Sequence, residues 1–154
     1  MKKGRLLFVL LMACAMVAAA QDVLPFKGSY VNKKWNIRLK LDLYDTTLVV
    51  PDYEFLGRMN GYLQGDLHET WFLTTFERHK DKATLFLSNE MGADNQQLLL
   101  TQIDSLHLQY EVQGTNYLRK AVNRKWVKLP AKMLFERTDK GAAPKETPQR
   151  FRMY

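Results

Sequence analysis

The side chains best suited to acid–base, nucleophilic or metal chemistry are few and scattered. The three histidines are His68, His79 and His107. No two stand at the i, i+4 spacing that puts two ring nitrogens on one helix face, and no carboxylate or cysteine nearby completes a ligand pattern. His79 falls in a polar stretch and His107 on the wet side of an alternating one, so both read as solvated surface residues. Nucleophile elbows, phosphate-cradling glycine loops and calcium loops are absent. The one cysteine, Cys14, sits inside an apolar run near the N-terminus. Residues 21–154 therefore contain no thiol for catalysis, thiolate for a metal or disulfide. No catalytic residue, metal site or cofactor is predicted, and the chain is read as a non-enzyme.

Aromatic and basic residues offer binding rather than reaction. Tyr53, Phe55, Tyr62, Trp71, Phe72 and Phe76 lie close together in the sequence. Small β-barrels can hold an apolar ligand among such residues, or fill their interior with them. Tyr53, Phe55, Tyr62, Trp71 and Phe76 are the candidate ligand contacts, and Arg58 is placed to meet an anionic head group. A basic run, Arg119-Lys120, Arg124-Lys125, Lys128 and Lys132, has Tyr117 and Trp126 interleaved. It would suit membrane phosphate or an acidic polymer, or simply form a solvated face.

The elements that must carry these residues read as strands. From Trp35 to Leu43 the odd positions are apolar and the even ones polar. That period gives a strand one buried and one wet face, and would scatter the same residues around a helix. Leu106 to Val112 alternates in the same way. Between and around them, Gly28–Val31, Thr47–Val50, Arg58–Gln64, Thr70–Arg78, Ala83–Leu87, Gln96–Ile103, Tyr117–Val122 and Met133–Arg137 have strand character and are separated by turn residues. Pro51 ends the Thr47–Val50 segment. His79–Lys82 joins the clearest hairpin. Residues 131–136 would also fit one or two helical turns after Pro130. The sequence thus predicts an all-β domain, an antiparallel up-and-down barrel of about eight strands, because closure removes exposed edges. At a shift of 59, Leu39, Leu41, Asp45 and Phe76-Glu77-Arg78 reappear as Leu98, Leu100, Asp104 and Phe135-Glu136-Arg137. Few positions between them match, so this echo alone does not establish a repeat.

The ends of the chain concern location. Lys2, Lys3 and Arg5 precede an apolar run from Leu6 to Val17, then Ala18-Ala19-Ala20 and polar Gln21-Asp22. This is the pattern of a secretory signal peptide cleaved after Ala20, too short for an ordinary membrane span. Leu11-Met12-Ala13-Cys14 also resembles a lipoprotein signal that would lipidate Cys14, although apolar residues follow where a soluble linker belongs. Removing three basic residues with the leader lowers the net charge from +7 to +4, which is weak support for nucleic acid binding, and export argues further against it, so no nucleic acid partner is expected. The stretch from Lys140 to Arg150 lacks apolar periodicity and reads as a disordered tail, which Phe151-Arg152-Met153-Tyr154 ends. The expected organisation is a signal peptide at 1–20, a barrel domain at 21–138 and a flexible tail at 139–154. The product would be exported, to the periplasm or beyond, with no transmembrane segment left after cleavage.

Gly28-Ser29-Tyr30 near the first strand and Arg137 at the end of the last resemble the lipocalin-like pattern. There a Gly-x-Trp opens the first strand and a late Arg packs across its ring. By that resemblance Tyr30 takes the Trp position and Arg137 the Arg position. Tyr replaces Trp, and no second family motif appears near Asp104. The resemblance implies a barrel that binds small apolar ligands. The functional expectation is an exported, non-catalytic binding protein for a small apolar or amphiphilic ligand held in the barrel. The alternative is a structural or interaction protein of the bacterial envelope, with a filled barrel, no ligand and an envelope protein as partner.

Overall fold

The structure is a computed structural model that describes residues 23–139. The expected leader, Cys14 and all of the expected tail beyond Asp139 lie outside the described residues. Eight strands close an antiparallel barrel: β1 (Lys27–Asn32), β2 (Ile37–Asp42), β5 (Gly61–Gly65), β6 (Trp71–His79), β7 (Lys82–Asn89), β8 (Asn95–Gln102), β9 (His107–Gln113) and β12 (Lys132–Arg137). Each pairs with the next in that order, and β1 pairs with β12 through Tyr30 opposite Arg137 to shut the sheet. The predicted up-and-down barrel is therefore the fold, and residues 132–137 are a strand, not helical turns.

Two predicted strands leave the barrel. Thr47–Val50 contributes β3 (Leu48–Val49), which pairs with β4 (Arg58–Met59) in a small hairpin between β2 and β5. A single 3-10 turn, Glu54–Leu56, joins them. Tyr117–Val122 contributes β10 (Arg119–Val122), which pairs with β11 (Lys125–Lys128) between β9 and β12. The predicted strand from Arg58 to Gln64 is split at Asn60, whose side-chain amide donates to the backbone of Asp42 and Asp45. Trp35 was expected on the apolar face of β2. It lies instead in the β1–β2 turn, half-buried, because Asn36 adopts φ 52° and the strand begins only at Ile37.

The inward faces follow the period of two. Ile37, Leu39 and Leu41 of β2 meet Leu63, Leu73, Leu85, Leu87, Leu98, Leu100, Leu108, Tyr110, Met133 and Phe135 in one core cluster. Each fully buried leucine contributes roughly 1.5–3 kcal/mol relative to exposure. The sheet irregularity between Leu73 and Thr75 resets the alternation in β6, so that Leu73 and Phe76 both face inward although three positions separate them. At one end of the barrel Phe26 is fully buried, with its carbonyl accepting from Leu43 N. At the other end Leu118 and Leu129, the residues flanking the β10–β11 hairpin, are buried and joined by a 2.8 Å backbone hydrogen bond.

Candidate functional site

The six residues predicted as ligand contacts divide among three places. Trp71 and Phe76 belong to the interior, but on β6 they are five residues apart, roughly 16 Å along the strand. Tyr62 faces the outer wall, paired with Phe72. Tyr53 packs edge-on against that same Phe72 at 5.1 Å and its hydroxyl donates to the Glu90 carboxylate. Phe55 lies 6.2 Å from Tyr53, on the solvent side, and is 82% exposed. Arg58 is exposed in β4, opposite Val49. The structure brings Tyr53, Phe55 and Tyr62 together around Phe72, on the outside of the barrel, and does not join them to Trp71 or Phe76. The reason is parity: Tyr62 and Phe72 alternate with inward Leu63 and Trp71.

The interior holds side chains in mutual contact. Tyr30, Tyr110, Phe135, Leu39, Leu85, Leu98 and Leu100 are all less than 2% exposed or at that limit. Its polar exceptions are specific. Asn89 donates to Glu69 at 2.7 Å and accepts from the backbone of Ala93 and Asp94. Gln96 donates through Nε2 to the Asn116 carbonyl, while its Oε1 has no partner. The Tyr110 hydroxyl is also buried without a partner, and burial pushes its pKa up.

Tyr30 and Arg137 make the contact that the resemblance implies. The guanidinium lies 4.8 Å from the Tyr30 ring centre and Nη2 donates to the Tyr30 hydroxyl at 2.6 Å. Arg137 is 5% exposed and donates further to the carbonyls of Ser105, Lys27 and Leu24. Gly28 has φ +142°, and a Cβ there would stand 2.5 Å from Arg137 Nη1. The glycine therefore gives the arginine room. Burial raises the Tyr30 pKa to about 12, with the Arg137 charge opposing the rise.

On the outer wall the β3–β4 excursion forms a roof over β2 and β5. Gln64 Nε2 reaches the Pro51 carbonyl at 3.4 Å. Beneath the roof is a groove of about 600 Å³ whose lining includes Arg38, Lys40, Asp52, Tyr62 and Gln64. Arg38 and Lys40 have no carboxylate within ion-pair distance among the described residues. Tyr62 is buried there, which raises its pKa, with the Arg38 charge opposing. Arg38 and Lys40 occupy the wet positions of the alternating β2 pattern; their exposure was legible, but not the roof above them.

The basic run forms the second surface. The β10–β11 hairpin is exposed along both strands except for Lys120. Lys120 bridges to Asp66 at 3.0 Å and the Trp35 carbonyl at 3.4 Å, and this contact holds the Asp66 carboxyl below its usual range. The Arg119 carbonyl accepts from His68 N. Trp126 is 55% exposed, and its ring lies 3.9 Å from that of His68. His68 is exposed, and its ring packs against this tryptophan. His79 is exposed at the end of β6, and His107 Nδ1 lies 2.9 Å from the Asp104 carboxylate. Among the described residues no group of three His, Cys, Asp or Glu could hold a metal ion, and no helix is long and apolar enough to cross a membrane.

No family model matches the sequence, and no curated protein or solved structure matches it either.

Proposed function

We propose that this is an exported interaction protein of the cell envelope, built on a lipocalin-like barrel whose interior is filled by its own side chains. The observation that carries this reading is the fully buried interior set, Tyr30, Tyr110, Phe135 and the surrounding leucines, which occupies the place an apolar ligand would need. The Tyr30–Arg137 contact beside Gly28 supports the lipocalin-like assignment. The work is then done by surface features, above all the basic β10–β11 arm. In this reading the role is binding, not catalysis.

Two measurements test this reading. Mass spectrometry of an organic extract from the denatured protein, purified from its own host, should find no stoichiometric lipid or pigment. Cell fractionation should place the wild-type protein with the envelope, and a Lys125→Glu/Trp126→Ala variant in the soluble fraction. A stoichiometric apolar ligand, or a variant that fractionates like wild type, would overturn the proposal.

One observation favours a second reading, a carrier of a small amphiphilic ligand. The outer-wall groove has a volume within the usual range for small-molecule sites. Its Arg38 and Lys40 would meet an anionic head group, and Tyr62 a short apolar tail. Under this reading Arg38→Ala lowers fatty-acid affinity at least tenfold, measured by calorimetry, and leaves the melting temperature unchanged.

A further inference from the structure

Charge is not spread evenly over the barrel domain. Residues 21–138 contain 16 basic and 14 acidic side chains. Six of the basic ones and none of the acidic ones fall between Tyr117 and Lys132, leaving ten against fourteen elsewhere. The barrel body is thus net acidic and the arm strongly basic. Lys120 is committed to Asp66, and Lys132 lies 3.8 Å from Glu111. Arg119, Arg124, Lys125 and Lys128 have no carboxylate within ion-pair distance among the described residues.

The tip adds apolar surface to this charge. Ala121 pairs with Trp126 and Val122 with Lys125. Trp126, Val122 and Val127 are all exposed. The hairpin turns through Asn123 and Arg124, both at positive φ, 51° and 64°. Its base is fixed by buried Leu118 and Leu129, by the His68–Arg119 backbone bond and by Lys120. A rigid base therefore presents a tip on which cations alternate with an indole and two valines.

We propose that this tip docks onto an anionic phospholipid surface, with Trp126 at the headgroup level and Arg124 and Lys125 against lipid phosphate. The inference rests on the reading of the chain as an envelope interaction protein and names the surface it meets. A soluble polyanion would satisfy the four free cations and leave the indole and valines in water. A bilayer satisfies both, because its charged headgroups overlie an apolar layer and tryptophan favours that boundary. Each cation near an anionic leaflet strengthens binding by roughly fivefold.

The test is cosedimentation of the purified protein, carrying Cys14→Ser to exclude a lipid anchor, with large vesicles. One set is phosphatidylcholine alone; the other contains about 30 mol% phosphatidylglycerol, enough to give a negative surface potential. The protein should bind the anionic vesicles, release at high salt, and shift its tryptophan emission to the blue on binding. Trp126→Phe should abolish that shift while Trp35 and Trp71 stay silent. Arg124→Gln/Lys125→Gln should weaken binding about 30-fold, since two cations are lost. Both variants alter exposed positions, and an unchanged melting temperature verifies the fold. Failure to bind anionic vesicles at low salt overturns the inference, as does binding that the double variant leaves intact. Binding to polyphosphate with no blue shift on vesicles also overturns it, in favour of a polymer. If vesicle binding fails but the envelope fractionation still depends on Trp126, the lipid assignment falls and the interaction reading stands.

Discussion

Arg137 has a long side chain and a permanent charge, yet it is among the most buried polar residues. Such a charge is tolerated only with partners, because an unpaired buried ion is strongly unfavourable. Here the partners are one aromatic face, one hydroxyl, three carbonyls and the Asp139 carboxylate at 3.7 Å, and the hydrogen bonds use the planar fork of guanidinium donors. Arg137→Ala should therefore lower stability by about 3–5 kcal/mol, and Arg137→Lys should recover only part of it, since lysine lacks the fork. Gly28→Ala should reproduce much of the loss by moving the guanidinium, at a cost of about 1–3 kcal/mol for the strained backbone alone. Urea unfolding of the three variants measures all of this, and a Gly28→Ala protein as stable as wild type would break the link between glycine and arginine. Tyr110 gives the opposite expectation. Its hydroxyl is buried without a partner, so Tyr110→Phe removes an unmet desolvation cost and should raise stability by about 1 kcal/mol.

At the scale of elements, the strands that were easiest to read are those with one face in the core. The alternation of Ile37, Leu39 and Leu41, and of Leu108, Tyr110 and Val112, follows from burial on one side and water on the other. The two excursions were harder to place. Leu48–Val49 and Arg119–Val122 have strand composition, but nothing local says whether such a segment pairs within the barrel or with its own neighbour. The outer aromatic group was missed for a related reason. Tyr53 and Tyr62 look like core residues by type, and only the parity of β5 and β6, together with the roof, sends them outside. The echo at a shift of 59 acquires a geometric counterpart: it carries β2 onto β8 and β6 onto β12, each four places on in the barrel order. Both members of the Leu39–Leu98, Leu41–Leu100 and Phe76–Phe135 pairs face the core. The arm supplies a prediction at this scale. Arg124 at φ 64° pays the left-handed penalty that glycine avoids, in a turn whose two positive-φ residues favour Asn-Gly. Arg124→Gly should stabilise the hairpin by about 0.5–1 kcal/mol. Slower hydrogen exchange at the Lys125 and Val122 amides would register the gain, and faster exchange would contradict it.

At the scale of the whole molecule, the barrel closes where β1 meets both β2 and β12, and the ionisable groups at one end of that seam set its pH limits. Asp42 is 4% exposed. Burial raises its pKa, but hydrogen bonds from Thr47, Tyr44 and Asp45, with the charge of Lys27, more than offset this, so its pKa lies below the ordinary 3.8. The folded state then binds the proton less readily than the unfolded chain. The stabilisation is complete above 3.8 and is lost as pH falls below it. On the alkaline side the sign reverses. Tyr30 rises from 10.0 to about 12, so between those values the unfolded chain has released a proton that the folded one keeps. Stability is complete below 10.0 and falls as pH climbs towards 12. Tyr110, with its pKa raised by burial, acts in the same direction. The melting temperature should therefore form a plateau near neutrality with a shoulder falling away on each side. Asp42→Asn should flatten the acid shoulder while lowering the plateau, because Thr47 and the Tyr44 and Asp45 amides lose a charged acceptor. Tyr30→Phe/Tyr110→Phe should flatten most of the alkaline one, the remainder belonging to Tyr62, whose burial also raises its pKa. Absorbance at the tyrosinate band checks the assignment directly. In the wild type two tyrosines should ionise only as the barrel unfolds, and an alkaline shoulder unchanged in the double variant would place the proton loss on other groups.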